Sequence, residues 1–119
     1  MNKKTVMVVD DEEGIQAVLR LALEMADFPI YCAGNGVEAL EILAEKPKPG
    51  LIFLDMSMPL MNGFVFLENI SRRPELSDIP VVMMSALSGR LPPPGIEVDI
   101  LEKPIDLDVF LGLVERHCG

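Results

Sequence analysis

The sequence predicts an α/β fold, a doubly wound five-stranded parallel sheet with strand order 2-1-3-4-5. Two observations lead to this class: short apolar runs alternate with amphipathic stretches, and the runs contain almost no polar residues. Strands of that kind are buried on both faces, which requires a parallel sheet with helices on either side. The 119 residues are expected to form one domain, 1–119, because an α/β barrel needs about 250 residues.

The first half of the chain is expected to hold three strands and two helices. The strands are Thr5–Val9, Pro29–Cys32 and Leu51–Leu54, and the helices run from Glu13 to about Ala26 and from Val37 to about Ala44. The first helix follows from the i, i+3, i+4, i+7 spacing of its apolar residues, which are Ile15, Val18, Leu19 and Ala22. Asn35-Gly36 is a turn that caps the second helix. Pro47, Pro49 and Gly50 break the chain before the third strand.

The second half is expected to add two strands, two helices and one irregular connection. The strands are Val81–Met84 and Val98–Leu101, and the helices run from about Asn62 to Arg72 and from Leu107 onward. Pro74 closes the first of these helices, Pro80 begins a strand, and Asp106 caps the last helix. Pro92–Pro94 cannot lie inside a helix. The fourth helix of the alternation is therefore expected to be shortened or replaced by a proline-rich loop.

The charge balance excludes several classes of partner. Nineteen acidic and ten basic residues give a formal net charge of −9. We therefore expect no nucleic-acid binding by this domain, which would need clustered Lys and Arg, and no binding to an anionic membrane. Cys32 and Cys118 form no motif and are expected to be reduced, and the N-terminal segment lacks the apolar stretch of a signal peptide. These features predict a cytoplasmic protein.

Acidic side chains follow two of the expected strands. Asp10 and Asp11 come after the first strand, and Asp55 comes after the third. These strands are neighbours at the switch point of the sheet, beyond which the ligands of doubly wound domains bind. Three carboxylates in one small pocket need a compensating charge, and Mg²⁺ prefers oxygen ligands of this kind. The sequence therefore predicts a magnesium site at this edge.

Two further polar residues belong to the same edge, since Ser85 ends the fourth strand and Lys103 follows the fifth. A carboxylate beside Mg²⁺ and an ammonium group can attack phosphorus and form an acyl phosphate. Each residue also has an ordinary explanation. Asp10 and Asp11 could be acids at a helix N-terminus, Asp55 a turn residue, and Ser85 and Lys103 solvated loop positions. Their coincidence at one edge favours the functional interpretation, because four of five strands deliver a polar or charged residue there.

Several motifs, in order, resemble one family from Val6 to about His117. The most specific is the segment 54–63, which is similar almost residue for residue to the phosphoacceptor segment of response regulator receiver domains in two-component signalling. The other motifs resemble the family's acidic pair, its hydroxyl residue with a small neighbour, and its Lys-Pro pair; they are Asp10-Asp11-Glu12, Ser85-Ala86 and Lys103-Pro104. The chain is identified on these residues as a receiver domain of the chemotaxis-regulator-like type, whose fold is flavodoxin-like.

The resemblance implies a role for each residue of the edge. Asp55 would accept a phosphoryl group from a sensor histidine kinase or a phosphotransfer protein. The metal ligands would be Asp10, Asp11, Asp55 and the backbone carbonyl of Ser57. The phosphoryl group would be bound and reported by Ser85, Ala86 and Lys103, with a cis bond between Lys103 and Pro104. The domain would signal through altered contacts with a downstream protein, and it would be no enzyme beyond Mg²⁺-dependent phosphorylation and dephosphorylation of itself.

Two features depart from the family's pattern. Ile100 occupies the switch position, three residues before Lys103, where the family usually has Tyr or Phe, and Pro92–Pro94 alter the approach to the fifth strand. An aliphatic side chain has no ring to swing inward and no hydroxyl to offer. Two other functions stay open: a docking module that needs no phosphate, and a Mg²⁺-dependent phosphatase that works through an aspartyl phosphate. Ser57 weakens the second, since such enzymes usually have an acid there.

Overall fold

Strands and helices alternate along the chain as the hydrophobic pattern predicts. The computed structural model describes residues 3–56, 61–85 and 98–119. The strands in these ranges are β1 (Val6–Val9), β2 (Ile30–Ala33), β3 (Leu51–Asp55), β4 (Val81–Ser85) and β5 (Asp99–Glu102). The helices are α1 (Glu13–Met25), α2 (Gly36–Glu45), α3 (Gly63–Ser71) and α4 (Leu107–Cys118). None of these four helices is long and apolar enough to cross a bilayer.

All five strands pair in parallel in the order β2-β1-β3-β4-β5, which confirms the predicted doubly wound sheet. Element boundaries differ from the predicted ones by at most one residue. β2, for example, begins at Ile30 rather than Pro29, because proline has no N–H for the ladder. The connection between β4 and β5, where Pro92–Pro94 were expected to shorten or replace a helix, lies outside the described residues.

Side-chain caps fix the starts of three helices. Asn35 Oδ1 accepts the Glu38 N–H at 2.8 Å, and Asn62 Oδ1 accepts the Val65 N–H at 3.0 Å. Asp106 Oδ1 accepts two N–H groups at the start of α4, at 2.9 and 3.3 Å. Each cap satisfies orphan donors of a first helical turn and is worth about 1 kcal/mol.

Alternate strand residues supply two apolar cores, one on each face of the sheet. Val6 and Val8 of β1 belong to the core beneath α1 and α4, whereas Met7 and Val9 belong to the core beneath α2 and α3. In the first core, the rings of Phe53 and Phe110 lie with centroids 4.4 Å apart at 42°. Pairs of this geometry contribute about 0.5–1.5 kcal/mol beyond the area they bury. Both faces of the sheet are therefore covered, as its apolar strands require.

One apolar residue of the first helix lies outside the core. Val18, whose spacing helped to predict the helix, is 51% exposed. The helix packs instead through Leu19 and Leu23, both of which are fully buried. The buried face of α1 is therefore centred on Leu19 and Leu23, and Val18 lies at the edge of this face.

Candidate functional site

The pairing register of β1 and β3 brings two carboxylates together. Val9 pairs with Leu54, so the next residues, Asp10 and Asp55, lie side by side at the carboxyl ends of β1 and β3. Both are buried, at 0% and 4% exposure. Together with the exposed Asp11, each offers a carboxylate oxygen, and these three oxygens lie within 4.8 Å of one another. The structure thus gathers the three acids that the sequence places at this edge.

The backbone around Asp10 fixes its carboxylate. The Asp10 N–H donates to the Ala33 carbonyl at 3.0 Å, and Asp10 Oδ1 accepts the Glu12 N–H at 2.9 Å. Asp10 thus accepts a hydrogen bond from a backbone N–H at the start of α1, as an acid near a helix N-terminus commonly does. That role uses only Oδ1 and leaves Oδ2, which lies 3.2 Å from Lys103 Nζ.

Lys103 is the cation among these acids. Its Nζ lies 3.2 Å from Asp10 Oδ2, 3.4 Å from Asp55 Oδ1 and 3.4 Å from Glu12 Oε1. Desolvation is the largest single influence on the pKa of Lys103 and lowers it. The nearby negative charges of Asp10, Asp55 and Glu12 together outweigh desolvation, and the pKa of Lys103 is raised above its usual value. The ammonium group therefore stays charged at any physiological pH.

The position of Lys103 follows from its backbone. The Lys103 N–H donates to the Ser85 carbonyl at 2.8 Å, which ties the end of β5 to the end of β4. The Lys103–Pro104 bond is cis, as the resemblance implied. Ser85 itself is half-buried at the end of β4. Ser57 and Ala86, the other residues expected at the site, lie outside the described residues.

The donor set fits a hard divalent cation. Asp10 Oδ2 is buried and accepts no directed hydrogen bond within the described residues; its contact with Lys103 at 3.2 Å is an ion pair without hydrogen-bond geometry. Asp10, Asp11 and Asp55 bring three negative charges to a site with the single positive charge of Lys103, so negative charge remains uncompensated. Such a set of oxygen ligands, one of them buried and underused, suits Mg²⁺, which typically binds through one or two carboxylates and several waters.

Two side chains of this region were not singled out from the sequence. Glu12 contacts Lys103, although it was counted only as part of the acidic motif. Gln16 Nε2 donates to the Asp10 carbonyl at 2.5 Å and to the Ala33 carbonyl at 2.9 Å, which ties α1 to the ends of β1 and β2. No local pattern marks Gln16. The only sequence feature that relates Gln16 to the site is its spacing of four residues, about one helical turn, from Glu12.

The surroundings of the site differ on its two sides. Beside Lys103, an apolar groove of about 210 Å³ opens between α1 and the start of α4, with Val18 and Ile105 in its walls. On the other side, Ile100 lies on the edge strand β5 and is 43% exposed. An exposed aliphatic side chain thus occupies the expected switch position.

The comparisons with known proteins agree with this geometry. Residues 6–115 match the response regulator receiver domain, and the chain belongs to this family. It is a signalling domain, consistent with phosphorylation-dependent reception in two-component systems. In receiver domains an acidic cluster typically binds Mg²⁺.

Among curated relatives, the DNA-binding transcriptional regulator NtrC of Escherichia coli (strain K12) is 37% identical over 120 residues, which cover 98% of this chain and 25% of NtrC. The DNA-binding dual master transcriptional regulator RpaA of Synechocystis is 32% identical over 114 residues, 92% of this chain and 46% of RpaA. The chain thus spans a quarter to a half of the length of these relatives. A solved receiver domain of a signal transduction histidine kinase from Syntrophus aciditrophicus aligns with a TM-score of 0.83 at 26% identity, over 95% of this chain and 88% of that one.

Proposed function

We propose that Asp55 is the phosphoacceptor of a single receiver domain formed by residues 1–119. The observation that carries the proposal is the position of the Lys103 ammonium group, 3.4 Å from Asp55 Oδ1 and 3.2 Å from Asp10 Oδ2. A fixed positive charge next to a buried carboxylate offsets negative charge there, and such a carboxylate is a competent nucleophile. Asp55 is also the only acid within the segment 54–63, which resembles the family's phosphoacceptor segment.

The proposed reaction transfers a phosphoryl group from a phosphohistidine to Asp55. A carboxylate oxygen of Asp55 forms a bond to phosphorus while the bond from phosphorus to the donor nitrogen breaks. The donor imidazole keeps the electron pair of the broken phosphorus–nitrogen bond and is protonated by solvent. Such transfers depend on positioning and charge neutralisation, and Lys103 supplies charge here, with Ser85 and Ala86 completing the phosphoryl site. Ile100 occupies the switch position.

We assign the metal site to Asp10, Asp11, Asp55 and the backbone carbonyl of Ser57. When bound there, Mg²⁺ would offset the charge of the carboxylates and of the phosphoryl oxygens. The buried Asp10 Oδ2 supports this assignment, since it has no directed hydrogen bond within the described residues. The role of the chain's own carboxylates is to hold the ion and to keep Asp55 oriented.

The partners follow from the same chemistry. The donor is a sensor histidine kinase or a phosphotransfer protein. We place it over the apolar groove because Lys103 lines this groove and its Nζ lies 3.4 Å from Asp55 Oδ1. The output is an altered contact with a downstream protein in the cytoplasm, without nucleic-acid or membrane binding by this domain. Apart from its own phosphorylation and dephosphorylation, the domain is proposed to have no enzymatic activity.

The test is incubation with a small-molecule acyl phosphate, with and without Mg²⁺. Incorporation of one phosphoryl group per chain, dependent on Mg²⁺ and lost in Asp55→Asn but not in the exposed control Asp108→Asn, would support the proposal. Continuous release of phosphate over many turnovers without accumulation of the phosphorylated protein would indicate the phosphatase instead. Absence of labelling under all conditions would leave the phosphate-independent docking module.

A further inference from the structure

Glu12 makes a third acidic contact with Lys103, and this contact lies outside the group of candidate metal ligands. Glu12 Oε1 is 3.4 Å from Lys103 Nζ, the same distance as Asp55 Oδ1. The Glu12 side chain is 60% exposed, whereas that of Lys103 is only 14% exposed. Lys103 therefore contacts two buried carboxylates and one solvent-exposed carboxylate.

The start of α1 directs Glu12 toward Lys103. Glu12 is the N-cap of this helix in an extended conformation, with φ −84° and ψ 110°. Its N–H donates to Asp10 Oδ1 at 2.9 Å, which fixes the point from which its side chain extends. The next residue, Glu13, is also acidic and belongs to the first helical turn. No ion pair joins Glu13 to Lys103 within the described residues, so the two neighbouring acids differ in this contact.

The contact matters because Lys103 is the cation that a phosphoryl group on Asp55 would need. The carboxylates of Asp10, Asp11 and Asp55 can share a metal ion, which would offset their charge. Glu12 is not part of that group, so its negative charge persists when the metal is bound. It then attracts the ammonium group away from the phosphoryl oxygens and repels the incoming dianion.

We propose that Glu12 is a positioning residue that acts through Lys103: it competes with the phosphoryl group for the ammonium and so lowers the affinity of the site for phosphoryl groups. The inference rests on the proposed function, since it concerns the same pocket. Its ordinary alternative is a solvated acid at a helix start, which would be equally true of Glu13. Glu13→Gln is therefore the matched control, with the same change of charge one residue further along.

The experiment measures the binding of beryllofluoride, a phosphoryl mimic, by ¹⁹F NMR at saturating Mg²⁺. Wild type, Glu12→Gln and Glu13→Gln are compared, and the initial rate of phosphorylation by an acyl phosphate is measured alongside. Glu12→Gln should bind the mimic about two- to fivefold more tightly, the factor that an exposed ion pair is typically worth, and its phosphorylation rate should rise by a similar factor. Glu13→Gln should match wild type, and the melting temperature of Glu12→Gln should remain that of wild type.

Two results would overturn the inference while leaving the proposed function in place. One is equal or weaker binding of the mimic by Glu12→Gln, which together with a lower melting temperature would indicate a structural role. The other is an equal gain in Glu13→Gln. A wild-type protein that neither binds beryllofluoride nor becomes phosphorylated would instead contradict the proposed function and this inference together.

Discussion

Replacement of Asp11 by Asn should stabilise the protein when metal is removed. Asp11 is exposed, and one of its carboxylate oxygens lies within 4.8 Å of oxygens of Asp10 and Asp55. Lys103 forms ion pairs with those two acids, and none joins it to Asp11 within the described residues. In the absence of metal, Asp11 thus adds repulsion without a compensating attraction, which raises the free energy of the folded state.

The magnitude follows from the separation of the charges. At 4.8 Å, two unit charges repel by roughly 3.5 kcal/mol at an effective dielectric constant of about 20 and by roughly 0.9 kcal/mol in bulk water. Asp11 has two such neighbours, but its exposure places it near the lower value, and salt screens it further. We expect Asp11→Asn to raise the free energy of unfolding by about 1–2 kcal/mol, which corresponds to about 3–8 °C in a domain of this size.

The assay is thermal and urea unfolding followed by circular dichroism, in a chelating buffer and again with Mg²⁺. In the chelator, Asp11→Asn should melt above wild type, and Glu13→Gln should not. Addition of Mg²⁺ should stabilise wild type more than the variant, because the variant lacks one of the proposed ligands. An Asp11→Asn protein that melts at or below the wild-type temperature without metal would show that repulsion among the acids is not significant.

Two further predictions concern the scaffold. A Cβ at Gly63 would lie 2.7 Å from Met56 Sδ and 2.8 Å from the Asp55 carbonyl oxygen, so Gly63→Ala should lower the free energy of unfolding in urea by about 1–3 kcal/mol. The control Gly112→Ala has nothing within 4 Å of the new Cβ and should raise that free energy by about 0.5–1 kcal/mol. Equal effects of the two substitutions would contradict the close packing at Gly63. Burial raises the pKa of the Cys118 thiol from 9.0 to about 11, so the folded state binds this proton more tightly than the unfolded state does. The free energy of unfolding should therefore fall as the pH rises from 9 to 11. The same fall in a Cys118→Ala variant would show that this thiol is not its cause.

The fold could be predicted because its signals are local and periodic. The first four strands are apolar runs that are uninterrupted up to their last residue, and β3 (Leu51–Asp55) ends in the proposed phosphoacceptor. Strand alternation then places Phe53 and Asp55 on the same face, and the parallel register sets Asp10 beside Asp55. The gathering of the acids therefore follows from strand order, once the strands are known.

The remaining features depend on tertiary contacts that no short pattern encodes. Leu23 is buried and Val18 is exposed because of the way α1 packs against the sheet. The helical spacing of the apolar residues alone is compatible with the burial of either residue. The contact of Glu12 with Lys103 joins residues 91 positions apart. Likewise, Gln16 holds the backbone of Asp10 through its side-chain amide, a contact that only the packed structure reveals.

The most direct test of the central claim locates the phosphoryl group. The protein is incubated with an acyl phosphate and Mg²⁺, the product is reduced with borohydride, which converts an aspartyl phosphate to homoserine, and the peptides are analysed by mass spectrometry. Homoserine should be found at position 55, only when Mg²⁺ is present, and its yield should fall strongly in Lys103→Met. Homoserine at another acidic residue, or at position 55 with equal yield in chelator, would contradict the assignment of Asp55 and its metal site.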